Sequence, residues 1–439
     1  MKFRHWRACC ALLVGLAGAT SAVAVTVGDQ SPTPPQSSDS ATCNRAIGAQ
    51  LAEVQGLFNL IRTQLDNISD PQAAKAGRNA TESIELALSS GCLDQISAGF
   101  SDLKEQPLGS SDAAYQIWKV ANEILAKIAG YQFAPDRIEA IEIAAAQDVV
   151  SRWQHPPTEA ADFYLDAVGA YLQAGLLTKN PKAFDRALTI ARERVLPLAD
   201  RQTTPYLWFR AHFLMGDILY EKTNMLEPGE TPGSVAEQSI AATQSALLVD
   251  VPDDELLFGA HMNLALAHSA ASWAAGFKDQ SLDDRTAAAI GKVLSDSRLT
   301  VDKPQWGFLH DAYAKAVISR ATPMQNPERA RRMSDALAVV ERALGKMNRD
   351  SNLLVWARLQ DDRAVAAAEL AIGQRDKNEA LRNLDLAIAS YETILAVKEQ
   401  IASGGDPDLV ARVQPQYRQL LAIKAQIASA TAQPTRSQK

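Results

Sequence analysis

Four tryptophans each stand one helical turn ahead of a polar side chain: Trp118 before Asn122, Trp208 before His212, Trp306 before His310 and Trp356 before Gln360. A spacing of i, i+4 puts both members on one helix face. Two chemistries fit. The column could line a groove, with the indoles as platforms and the polar groups as hydrogen-bonding partners for a peptide. Alternatively the indoles pack between helices and the polar groups satisfy neighbouring backbone. Tryptophan is a large packing residue whose N–H can be met locally, and this favours packing. A second constellation is Asp254, His261 and His268, recurring every seven residues. Seven nearly preserves a helix face, but side chains two turns apart are about 10 Å apart, too far to share a metal. His261 and His268 are therefore expected as groove-lining or core histidines. No nucleophile elbow, phosphate loop or other catalytic motif is present, and no residue set calls for a cofactor.

The rest of the chain must position these residues. It has 439 residues, 47% of them hydrophobic and only 6% aromatic, a balance suited to close-packed helices. Lys2, Arg4 and Arg7 precede an apolar run from Ala8 to Gly18 that is too short to span a bilayer. Ala22-Val23-Ala24 then offers a small-residue cleavage site, so residues 1–24 read as a signal peptide. Its removal would take the net charge from −7 to −10, which lacks the electrostatic footprint of a nucleic-acid binder. No later apolar run is fit to cross a membrane, and the mature chain is expected in the periplasm or secreted.

Residues 25–42 are rich in Pro and Ser and read as a flexible linker, and the tail 431–439 reads as disordered. Cys43 and Cys92 flank two helical patterns, Asn44–Leu65 and Gln72–Ser89. An antiparallel hairpin would place them at the same end. In an exported chain such a pair is expected to form a disulfide, contributing about 4 kcal/mol for a loop of about 50 residues.

Helix starts are marked by a capping residue followed by Pro at Asp70-Pro71, Asn180-Pro181, Thr204-Pro205, Asn326-Pro327 and Asp406-Pro407. From residue 107 the chain reads as pairs of helices. First helices begin near Ser111, Pro157, Thr203, Pro252, Pro304 and Asp350, and second helices near Ala134, Asn180, Thr231, Gln280, Asn326 and Asp376. A last helix from Asp406 to Ala430 would cap the array. Second helices carry stripes of small and apolar residues, clearest at Ala380, Leu384, Ala387, Tyr391 and Leu395. A lone hairpin cannot cover such a face and needs a neighbour.

Leu370 to Leu395 (LAIGQRDKNEALRNLDLAIASYETIL), opened by Trp356, Leu359 and Gln360, resembles the tetratricopeptide repeat (TPR), in the longer bacterial variety with about 50 residues per repeat. The match covers one repeat well, weakens near Trp306 and Trp208, and is poor before about residue 150. Ala364 stands where the family usually has Gly, and Arg363 where it usually has Leu. The resemblance implies an all-α right-handed superhelix, an α-solenoid of about six to seven antiparallel hairpins. It also implies that the opening Trp packs between repeats. The function expected is an interaction module that holds a protein or peptide of the cell envelope on its concave face. A cell-envelope enzyme on a helical solenoid and a small-ligand carrier serving a transporter are the alternatives.

Overall fold

The computed structural model describes residues 48–404 and 406–432. The leader, the linker, Cys43 and residues 433–439 lie outside that range. Among the described residues there are seventeen α-helices and no strand. In chain order they are α1 (Gly48–Leu65), α2 (Pro71–Ser90), α3 (Leu93–Glu105), α4 (Asp112–Tyr131), α5 (Pro135–Ser151), α6 (Ala161–Thr178), α7 (Pro181–Ile190) and α8 (Pro205–Lys222). There follow α9 (Pro232–Ala246), α10 (Asp254–Ala274), α11 (Gln280–Leu294), α12 (Pro304–Ala321), α13 (Glu328–Lys346), α14 (Leu353–Gly373), α15 (Lys377–Leu395), α16 (Lys398–Ser403) and α17 (Pro407–Ala432).

The starts follow from local chemistry. Asp70 accepts from the backbone N–H of Gln72 at 2.9 Å and Asn180 from that of Lys182 at 3.1 Å, each just ahead of a first-turn proline. Asp376 caps α15 and Asp279 caps α11 in the same way. Two of the expected signals work differently. Pro327 precedes the first turn of α13 instead of opening it, and the Thr204 hydroxyl binds the Asp200 backbone instead of capping α8.

The chain forms two compact units. One comprises residues 48–228 with Leu248–Val251, and the other Gly229–Leu247 with Pro252 onward. Within each, helices pack chiefly against their sequence neighbours, the mark of a helical-repeat stack. In the second unit α10, α12 and α14 also touch in series, so first helices form one layer and second helices another. The small-residue stripes are what close this packing. Ala183, Ala187, Ala191 and Val195 are buried, as are Ala336, Val340 and Ala343, and Ala380, Leu384, Ala387 and Tyr391.

The amino-terminal end departs from a simple hairpin. α1 packs mainly on α4 and only lightly on α2. Val54, Phe58 and Ile61 of α1 share a core with Ile117, Ile124 and Ile128 of α4. Glu53 accepts from Lys127 at 2.7 Å and from Tyr131 at 2.5 Å, fixing the same register.

Close packing of α6 on α7 depends on Gly175. A Cβ there would meet the fully buried Phe184 ring at 2.8–3.0 Å, whereas a Cβ at Gly169 would meet nothing within 4 Å. Gly175→Val should therefore lower stability by about 1–3 kcal/mol through overpacking. Gly169→Ala should raise it by up to about 1 kcal/mol through helix propensity. Urea denaturation followed by circular dichroism reads both, and equal effects at the two sites would contradict the packing described.

Candidate functional site

The tryptophan column is mostly internal. Trp118 is fully buried in an aromatic cluster with Tyr115, Trp153 and Phe163, at centroid distances of 5.8, 5.8 and 5.9 Å. Asn122 donates to the Trp118 carbonyl at 2.9 Å and accepts from Lys104 at 3.1 Å. His310 lies 4.1 Å from the Trp306 ring, with its Nδ1 2.7 Å from the Trp306 carbonyl oxygen. Trp306 and Gln360 are buried, while Trp356 and His310 are half-buried. In the other unit Trp208 and His212 are half-buried and stack at 4.3 Å. Burial pushes both His212 and His310 below the ordinary histidine value, so each is held neutral.

His261 is half-buried on α10, its pKa lowered by burial and by Lys292 and Arg298. His268, two turns on, is buried. Among the described residues no group of three or more His, Cys, Asp or Glu is placed to hold a metal ion. The basic run beside Glu328 is a surface network: Arg331 and Arg332 bond to Glu328 at 2.7 and 3.1 Å, and Arg329 pairs with Glu369.

The chemistry concentrates elsewhere in the second unit, in a cleft of about 380 Å³ bordered by α10, α12, α14 and α17. That volume is at the small end for ligand pockets. Lys315 of α12 donates to Asp362 of α14 at 2.7 Å and also to Asp311, one turn back on its own helix. Arg412 of α17 donates to Asp361 at 2.7 Å. Trp273 of α10 lines the cleft, with the Lys315 ammonium 5.4 Å from its ring centroid and the Arg358 guanidinium also at 5.4 Å. Arg358 in turn holds Asp406, at the start of α17, at 2.8 Å. Ion pairs thus tie α12, α14 and α17 to one another, and α10 joins them through the cation–π contacts of Trp273.

The three buried aspartates are matched by one another and by neighbouring side chains. Asp311, Asp361 and Asp362 are 0%, 4% and 3% exposed; Asp362 is hydrogen-bonded to Asp311 and Asp361 to Tyr391. The Trp273 indole N–H has no acceptor. Burial pushes the Asp362 carboxyl well above the usual range; Lys315 opposes this, while Asp311 and Asp361 add to it. Burial alone would lower Lys315, but Asp311, Asp362 and Asp361 more than reverse that and keep it charged. At one side Asp283 is also pushed up by burial. Asp283 accepts from the Ser319 hydroxyl at 2.7 Å, which also lies 2.5 Å from the Phe277 carbonyl oxygen and shares its proton between them.

None of these acids was singled out from the sequence. A signal was there: Asp311 and Asp361 each follow a first-helix Trp by five residues, and Asp361-Asp362 interrupts the apolar run of α14. A wider hollow of about 720 Å³ in the other unit is bordered by Asp200, Arg201 and Leu248. Its polar groups are met locally, with Asp200 accepting from Gln202 and Thr203, and Arg201 donating to the Leu248 carbonyl.

No known family's profile and no curated protein matches this chain. Among solved structures it is similar to a circular tandem repeat protein with novel repeat topology and enhanced subunit contact surfaces, at 13% identity and a TM-score of 0.25, over 87% of this chain and 97% of that one. A likeness that low carries no weight here. The class of the protein, a helical-repeat scaffold, rests on its own sequentially packed helices.

His268 gives a pH test of the core. It is 3% exposed, and burial, with Arg285 nearby, pushes its pKa down to about 4. Unfolded, the ring takes a proton near 6.5; folded, it resists down to about 4, so stability from this group is lost as pH falls below 6.5. Wild type should lose about 2 kcal/mol more than His268→Gln between pH 7 and pH 5. Parallel stability curves for the two proteins would show that His268 is not held neutral.

Proposed function

We propose that this chain is an exported, TPR-like interaction module that holds a peptide segment of a protein partner against its first-helix layer. The observation that carries this reading is the cleft at α10, α12, α14 and α17, where the Trp273 indole N–H stands without an internal acceptor beside a network of buried charges. Buried polar groups are ordinarily satisfied, and a ligand is one way to satisfy them. The residue pattern around Trp356 and Ala380–Leu395 supports the TPR-like assignment, and the leader motif at residues 1–24 supports export. The two carboxylates in the cleft also favour an enzyme. Asp361 is held by Arg412 and Asp362 by Lys315, which leaves neither as an unencumbered base. Binding is therefore placed ahead of catalysis.

Two experiments bear on this. Non-reducing peptide mapping of exported protein should find a mature start at Val25 and a Cys43–Cys92 linked peptide; a start at Met1 with two free thiols would overturn both expectations. Selection from a random peptide display library should enrich a shared motif on the wild-type chain. Val365→Trp, which fills the cleft wall with helical content unchanged, should abolish that enrichment. No enriched motif, or one indifferent to Val365→Trp, would count against the interaction reading.

A further inference from the structure

We infer that the cleft at α10, α12, α14 and α17 receives one large uncharged side chain of the bound peptide, aliphatic or aromatic, seated between Trp273, Phe277, Ile318 and Val365. The inference rests on the interaction reading above and names the chemistry of the same site.

The charges of the cleft are complete without a ligand. Asp362 is hydrogen-bonded to Asp311, and two carboxyl groups bond to each other only through a proton that one of them keeps. Asp311, Asp361, Asp362 and Asp406 then carry three negative charges, which Lys315, Arg358 and Arg412 balance. Asp311, Asp361 and Asp362 are at most 4% exposed, so they offer an incoming group almost no surface. What the cleft leaves open is apolar. Trp273, Phe277 and Val365 line it and are only half-buried, and Ile318 joins them. An apolar side chain gains by covering such surface, whereas a charged one would lose its water for no counter-ion. The volume of about 380 Å³ suits one large side chain and the backbone that carries it. Arg412, with its side chain 48% exposed, donates to Asp361 and keeps other N–H groups for a backbone carbonyl of the peptide.

Phe277 supplies an independent observation. Its φ of +53° lies in the left-handed region that favours glycine, where a bulky side chain is strained. Hydrogen bonds on both sides hold it there. Its N–H donates to the Ser272 carbonyl at 2.9 Å, and its carbonyl oxygen lies 2.5 Å from the Ser319 hydroxyl of α12. What the strain secures is the place of the ring, edge-on to Trp273 at 5.2 Å and on the cleft wall. Glycine would suit the turn better; phenylalanine suits the cleft.

Isothermal titration of the full chain with four probes tests this: acetyl-Ala-Phe-Ala-amide, acetyl-Ala-Leu-Ala-amide, acetyl-Ala-Lys-Ala-amide and acetyl-Ala-Glu-Ala-amide. The phenylalanine or the leucine probe should bind at least about tenfold tighter than either charged one. Phe277→Gly fits the turn and removes the ring, and it should weaken that binding about tenfold or more. Phe133 takes the same backbone conformation, at φ +51°, but is 78% exposed and borders neither hollow. Phe133→Gly therefore makes the same change to a turn and should leave binding unaltered. Val365→Trp, which occupies the cleft itself, should abolish binding with helical content unchanged. A ring that serves only its turn predicts equal binding by wild type and Phe277→Gly. That result, equal losses in the two glycine variants, equal or tighter binding of a charged probe, or no binding at millimolar concentration overturns the inference. If display still yields a cleft-dependent motif without an aliphatic or aromatic residue, the interaction reading survives and this one does not. If display yields no motif either, both are wrong.

Discussion

A helical hairpin of about 40 residues cannot bury its own apolar face, and this constraint organises the chain. The second helices α7, α13 and α15 present alanines at turns of three or four residues. Alanine at the contact lets helix axes approach closely, but it buries little area by itself. Stability therefore comes from the larger residues between the alanines, such as Phe184, Leu384 and Tyr391, which reach the adjacent helix. The result in each unit is a stack in which most helices depend on their sequence neighbours, α1 on α4 being the exception. The first helices are left to form a second layer, and any ligand chemistry has to sit there.

That layer carries charge in its interior, which is costly unless matched. The chain matches it across repeats. Lys315 lies between Asp311 on its own helix and Asp362 on the next first helix, and Arg412 on the final helix meets Asp361. These bonds cross 47 and 51 residues of sequence, about one repeat. A repeat spacing that brings apolar stripes together also brings these acids and bases together. The same periodicity thus supplies both the core and the polar cleft.

How much of this can be read from the residues differs by layer. Helix starts are local chemistry, so Asp70, Asn180, Asp279 and Asp376 announce them, and the second-helix stripes follow from periodicity. The departures are long-range. Nothing in α1 alone says that its Val54, Phe58 and Ile61 face prefers α4 to α2, because all three helices offer compatible apolar spacing. The Trp-x3-polar column is visible, and packing, the reading its residues favour, is what Trp118 and Trp306 do; His310 is occupied by the carbonyl of its own turn. The cleft acids were in plain sight as Asp361-Asp362, yet their partners could be named only once α12, α14 and α17 were placed side by side.

The contrast between the histidines and the aspartates sharpens the location of the site. Both are polar groups carried into the layer of first helices. Burial disfavours charge on both, but with different consequences. A histidine answers by staying neutral, the form that burial favours for His212, His268 and His310. Among the aspartates, burial pushes Asp362 upward even against Lys315, which Asp311 also holds. The aspartates are tied across helices by Lys315 and Arg412, whereas the histidines carry no such cross-helix pair. By this argument, function is to be sought one residue past the tryptophan–polar pairs that first attract attention, at Asp311 and Asp361.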